Sequence, residues 1–186
     1  MIVTHEREKL INAILYFAHN TKHCGKIKLI KLLYLLDFEH FRQTGRSVTG
    51  MDYRAWKMGP VPFTLYQEWD DPEVDLAQAI TIEPEKVIDY TRETAVPKMD
   101  FDDSHFTKRE LRIMAKLAEH LHDSYSKPMI DMTHTELGPW AKIWDNGSGD
   151  NERIPYSLAL ADDDPHRDAI LASAHEYARI ASAQAH

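Results

Sequence analysis

With 186 residues, 43% hydrophobic and 28% charged, the chain has the size and balance of one folded domain with a real core. No apolar run approaches the roughly 18–20 residues of a membrane span, and the opening MIVTHEREKL lacks the apolar stretch of a secretory leader, so the expectation is a cytoplasmic protein with no membrane partner. The net charge of −8 argues against charge-driven binding of nucleic acid, and the lone Cys24 cannot form an internal disulfide.

THEREKLINAILYFAHNT predicts a first helix. Thr4 is a candidate N-cap, Glu6 suits the positive end of the helix dipole, and Leu10, Ile11, Ile14, Leu15, Phe17 and Ala18 recur at helical spacing. After a KHCG turn, IKLIKLLYLLDFEHFRQTG (residues 27–45) predicts a central helix that stops near Thr44-Gly45. The next stretch turns at Thr49-Gly50, and DYRAWKM then alternates as a short strand or an extended loop. Gly59-Pro60-Val61-Pro62 ends it, and PVPFTLYQEW predicts a helix with proline in its first turn.

The β-branched runs of AITIEPEKVIDYTRETAVPKM predict a small hairpin. SHFTKRELRIMAKLAEHLHD is helical, with Thr107 and Glu110 spaced as a capping box. SKPMIDMTHTELGPWAKIWDNGSG predicts two short helices parted near Gly138-Pro139, and a last helix spans about 166–183. The expected class is mainly α: a compact helical fold over residues 1–186, one domain, with a small β-hairpin or short antiparallel sheet. No βαβ alternation or glycine-rich phosphate loop is present.

One helix carries an anomaly. Asp37 falls between Ile30 and Leu33 at the centre of an apolar face, and His40 falls beside Leu29, Leu33 and Leu36. An unpaired buried carboxylate costs several kcal/mol or becomes neutral, so Asp37 is expected to have donors. The candidates are the free amides after Pro60 and the side chains of Arg46, Tyr53 and Trp56, which would lock the central helix to the Tyr53–Val61 loop. Lys26, Lys28 and Lys31, with Arg42 and Arg46, read as a solvated helix face rather than a nucleic-acid strip. His134 and Trp140 read as a structural pair, the histidine capping or bridging to the central helix.

Reactive chemistry finds little support. His19 and His23 are spaced i, i+4 beside Cys24, and His120 and His122 precede Asp123, but neither cluster has a paired zinc motif. His120 and His122 also point about 200° apart on a helix. No G-x-S-x-G elbow exists. The expectation is a non-enzyme with no metal and no cofactor. Trp56, Tyr66, Trp69 and Trp144 are candidate interface anchors, with core packing the first reading for each.

Lys28-Leu29, Lys31-Leu32-Leu33-Tyr34, Asp37, Thr44-Gly45, Gly50, Tyr53, Ala55 and Gly59-Pro60-Val61, followed by Thr133-His134 and Trp140, closely resemble the Panacea domain of SocA-like antitoxins. The resemblance covers most of residues 5–145. It implies a mostly helical domain that neutralises a cognate toxin, encoded nearby, by direct protein binding. Members often lie in prophage-linked loci, and at least one branch delivers its toxin to an AAA+ protease as an adaptor. The toxin-contact residues are not marked by the motif, and homo-oligomerisation is left open. Two other classes stand as alternatives at this point: a metal-dependent enzyme using the histidine clusters, and a DNA-binding regulator.

Overall fold

The computed structural model describes residues 4–125, 131, 133 and 138–184. Among them the helices are α1 (Glu6–Asn20), α2 (Lys26–Thr44), α3 (Phe63–Glu68), α4 (Val74–Ala79), α5 (Lys108–His120), α6 (Pro139–Trp144) and α7 (Arg167–Gln184). The strands are β1 (Tyr53–Trp56), β2 (Gly59–Pro62), β3 (Ile80–Val87) and β4 (Tyr90–Pro97), paired as two antiparallel two-stranded sheets. Short 3-10 turns cover Asp145–Gly147 and Tyr156–Ala159. The fold is mainly α, as the sequence predicts.

The centre is α2, because it is apolar almost all the way round. Leu29, Ile30, Leu32, Leu33 and Leu36 are all fully buried, and a helix without a continuous polar face must be enclosed. The elements packed around it are α1, α5, β2, β4, the Tyr156–Ala159 turn and α7. It stops at Gly45, which adopts the left-handed conformation at φ 75° and returns its N–H to the Phe41 carbonyl. A Cβ at this position would also lie 2.6 Å from the Ile170 carbonyl oxygen. Glycine therefore both ends α2 and lets α7 lie against it.

The helix predicted to start within PVPFTLYQEW begins only at Phe63, and Pro60 and Pro62 belong to β2. The reason lies in the register. Pro60 faces Ala55 and Pro62 faces Tyr53, yet Ala55 and Tyr53 turn their backbone groups the other way, toward residues 151–154. Asn151 N–H donates to Ala55 O at 2.7 Å, Glu152 O accepts from Ala55 N–H at 2.9 Å, and Ile154 N–H donates to Tyr53 O at 2.8 Å. Both prolines thus occupy positions where β1 requires no N–H from β2. The N-cap of α1 is likewise His5 at φ 49°, with no side-chain cap, rather than Thr4; the His5 ring stacks on His105 at 4.5 Å.

The predicted hairpin is β3–β4, in register from Ile80↔Pro97 to Val87↔Tyr90. Its base is tied to the α1–α2 junction by a Gly25–Thr94 bridge and by Ala95 N–H donating to Cys24 O at 3.3 Å. The capping box of α5 is complete: Glu110 N–H donates to the Thr107 hydroxyl and Thr107 N–H to the Glu110 carboxylate. Thr107→Ala is expected to lower the unfolding free energy by about 1 kcal/mol, read from urea titration.

Candidate functional site

From Lys28 to His40 every third residue is polar: Lys28, Lys31, Tyr34, Asp37 and His40. A step of three residues falls short of a full turn by about 60°, so these side chains form a ridge winding around α2 rather than a stripe along it. All five are buried. Because the ridge winds, each reaches a different neighbour.

Lys28 Nζ donates to the carbonyl oxygens of Lys22 at 2.7 Å and His122 at 3.0 Å. It thereby joins the chain just beyond α1 to the chain just beyond α5, and burial pushes its ammonium down from the usual lysine range. Lys31 Nζ donates to Pro60 O at 2.9 Å, and desolvation lowers its pKa to about 7. The Tyr34 hydroxyl lies buried and makes no hydrogen bond of normal geometry among the described residues. Burial raises its pKa, against a small opposing effect from the Trp140 backbone.

Asp37 is fully buried and accepts four hydrogen bonds. Val48 N–H and Thr49 N–H each donate to Oδ1 at 2.8 Å, while the Thr49 hydroxyl and the Tyr53 hydroxyl, the latter at 2.7 Å, donate to Oδ2. Burial raises the carboxyl's pKa, and the four donors oppose it. The Tyr53 phenol is raised well above its ordinary value, first by burial and then by the Asp37 charge. His40 Nδ1 donates to Arg46 O at 2.7 Å, and its Nε2 lies 4.0 Å from Glu110. Burial lowers its pKa, with the Arg46 carbonyl opposing. Glu110 in turn accepts from Lys9 Nζ at 2.7 Å.

These facts correct two expectations. Asp37 does have donors, and Tyr53 is one, but the loop it holds is Val48–Thr49. The amides after Pro60, Arg46 and Trp56 do not bond it: the Arg46 guanidinium lies over the Tyr177 ring at 4.5 Å, and Trp56 Nε1 donates to Asn151 Oδ1 at 3.2 Å. Pro60 is instead engaged by Lys31 through its carbonyl. Lys28 and Lys31 are also not part of a solvated face, because each ammonium is buried against backbone carbonyls. Their spacing in threes with Tyr34, Asp37 and His40 was the signal available for this in the sequence. Thr49, read only as a turn residue, supplies two of the four donors to Asp37.

The other motif residues pack around this ridge. Leu29, Leu32 and Leu33 are core, and the Thr44 hydroxyl donates to His40 O at 2.8 Å. Gly50 takes φ 69° against the Glu6 carboxylate, and Gly59 takes φ 108°. Val61 is buried, as is Trp140, whose Nε1 donates to Trp56 O at 2.9 Å. Thr133 is buried; His134, like the helix predicted before Gly138, lies outside the described residues.

The histidine clusters do not converge. His19 Nε2 meets Met99 O at 3.1 Å, His23 stacks on Tyr125, and His122 lies beside Asp123. Among the described residues no group of three or more His, Cys, Asp or Glu side chains is gathered as a metal would require. Of the candidate anchors, Trp69 is buried in the core, Trp56 and Tyr66 pack edge to face at 4.8 Å, and Trp144 stacks on Trp140. Among the described residues no helix is long and apolar enough to cross a membrane.

The buried ridge can hold helices and strands together, and its groups are closed to solvent. No curated protein and no solved structure matches the chain. A family model described as antitoxin SocA-like, Panacea domain, matches residues 29–141, from the second residue of the K-L-x-K-L-L-Y run to just past Trp140. That match takes in more than half of the sequence, and the chain belongs to the SocA-like antitoxin family.

Proposed function

We propose that this protein is an antitoxin that neutralises a cognate toxin by binding it, with no chemistry of its own. The observation that carries the reading is the family match over residues 29–141. It is supported by the fate of the motif's polar groups, most of which are spent on internal hydrogen bonds. The charge of −8 would speed encounter with a basic toxin. On this reading the 186 residues act as one Panacea-like domain in the cytoplasm, and the toxin is the product of an adjacent gene.

Co-expression with that product tests the proposal. Growth arrested by the toxin alone should be restored, and the two proteins should co-purify. Failure to rescue with both proteins soluble overturns the reading. Rescue that persists in a host lacking its AAA+ proteases means direct inhibition; rescue that disappears there means the chain acts as a proteolytic adaptor.

A further inference from the structure

Between α2 and α5 runs a groove of about 420 Å³ lined by Leu35, Glu39, Gln43, Arg109, Arg112, Ile113, Lys116 and Leu117. The lining residues follow from helix periodicity. Leu35, Glu39 and Gln43 are spaced by four on α2, as are Arg109, Ile113 and Leu117 on α5, so each set is one ridge of its helix. Arg109 Nη1 donates to Gln43 Oε1 at 3.3 Å and closes one end. Leu35, Ile113 and Leu117 supply an apolar floor, and Arg112 and Lys116, one turn apart, form the outer wall.

The charges on this wall stand together without ion-pair partners. Several cations elsewhere are matched: Arg7 with Glu68 and Asp75, Lys9 with Glu110, Lys22 with Asp123, Arg92 with Glu85 and Arg153 with Asp52. Arg109, Arg112 and Lys116 are exposed, and among the described residues none has a carboxylate in ion-pair contact. The acid on the opposite wall, Glu39, is already engaged by Arg42 and Gln43. A chain with 30 acidic and 22 basic residues thus keeps an unmatched cationic rim over an apolar floor.

We propose that this groove docks an acidic amphipathic helix of the partner protein, a segment with apolar residues on one face and carboxylates flanking them. Helix-in-groove recognition uses apolar anchors at i, i+3/i+4 and i+7. The eight-residue rise from Arg109 to Leu117 is about 12 Å, which fits two to three turns. The three cations then meet the flanking carboxylates at the rim, where they set orientation and encounter rate. Nucleic acid fits less well: the floor is aliphatic with no aromatic ring for base stacking.

This inference rests on the reading that the chain works by binding a protein, and its test runs independently of the toxin. The probe is a labelled peptide of about 15 residues with leucine on one helical face and glutamate on the others, followed by fluorescence anisotropy. Wild type and K57E/K86E, which makes the same charge change at two exposed sites elsewhere, should bind it equally. R112E/K116E should bind roughly tenfold more weakly with an unchanged thermal melt, and a peptide with serine replacing leucine should lose about as much. Equal binding by R112E/K116E overturns the proposal, as does equal binding of the serine peptide or of a single-stranded oligonucleotide. If wild type and R112E/K116E neutralise the toxin equally, the groove is not the docking site while the antitoxin reading stands. If wild type fails to neutralise it, the antitoxin reading falls, and the peptide result still decides the groove.

Discussion

Asp37→Ala is expected to lower the unfolding free energy by about 3–5 kcal/mol, because it strands several buried donors at once. Val48 N–H and Thr49 N–H point into the core at Asp37 Oδ1 and cannot turn to water, while the hydroxyls of Thr49 and Tyr53 lose their acceptor. Asp37→Asn keeps one carbonyl oxygen for the two amides, and both hydroxyls can rotate to accept from the new NH2 group. Its cost should be about half that of alanine. Urea unfolding of the three proteins decides the matter. A loss below roughly 0.5 kcal/mol for alanine, the scale of an ordinary surface substitution, rejects Asp37 as a tether. A larger loss for asparagine than for alanine would show that bulk, not hydrogen bonding, governs the site.

The second large effect is a dependence of stability on pH. Lys31 titrates at about 7 in the folded protein against an ordinary value of 10.5, the cause being burial. Below pH 7 both states hold the proton, and the cost of burying the charge is constant. Between 7 and 10.5 the unfolded chain binds one more proton than the native one, so stability rises with pH. The rise should reach on the order of 3–4 kcal/mol by pH 10. Above pH 10 the sign reverses: Tyr34, Tyr53 and Tyr156 have raised folded values, so the unfolded chain loses protons first. Asp37, also raised, acts in a separate acid window, where its contribution falls as pH climbs past 3.8. Lys31→Met should abolish the rise between 7 and 10, since methionine carries no titrating group. An unchanged slope in Lys31→Met would assign the titration elsewhere.

The helical class, the hairpin and the capped start of α5 were legible because each follows from local rules: apolar periodicity, turn chemistry and a Thr–Glu spacing. Asp37 was legible as an anomaly for the same reason, since a carboxylate amid hydrocarbon demands partners. Of its partners only Tyr53 was legible, because Val48 and Thr49 contribute backbone N–H groups that nearly any residue type could supply, and the Thr49 hydroxyl joins them only once the loop is in place. Lys28 and Lys31 were misread for a related reason. A lysine stem is compatible with burial or with solvent, and only the three-dimensional endings near Lys22, His122 and Pro60 show where each ammonium stops. Pro60 and Pro62 suit both a first helical turn and strand positions that need no N–H, and the choice between these was made by residues 151–154, nearly a hundred positions away. The α2–α5 groove joins segments more than sixty residues apart, and neither reveals it alone.

The spiral of tethers on α2 has a consequence for how the molecule comes apart. Its polar groups hold the segment after α1, the Val48–Thr49 loop, both strands of the β1–β2 sheet and the segment after α5, so displacing α2 releases all of these contacts at once. These parts should open together, in a single all-or-none event. The last helix stands outside that arrangement: none of residues 167–183 is fully buried, and it rests on the Gly45 approach and the Arg46–Tyr177 stack. It belongs to a lower rung of the stability ladder, able to peel away and return while the rest stays folded, so its amides should exchange with solvent long before those of α2.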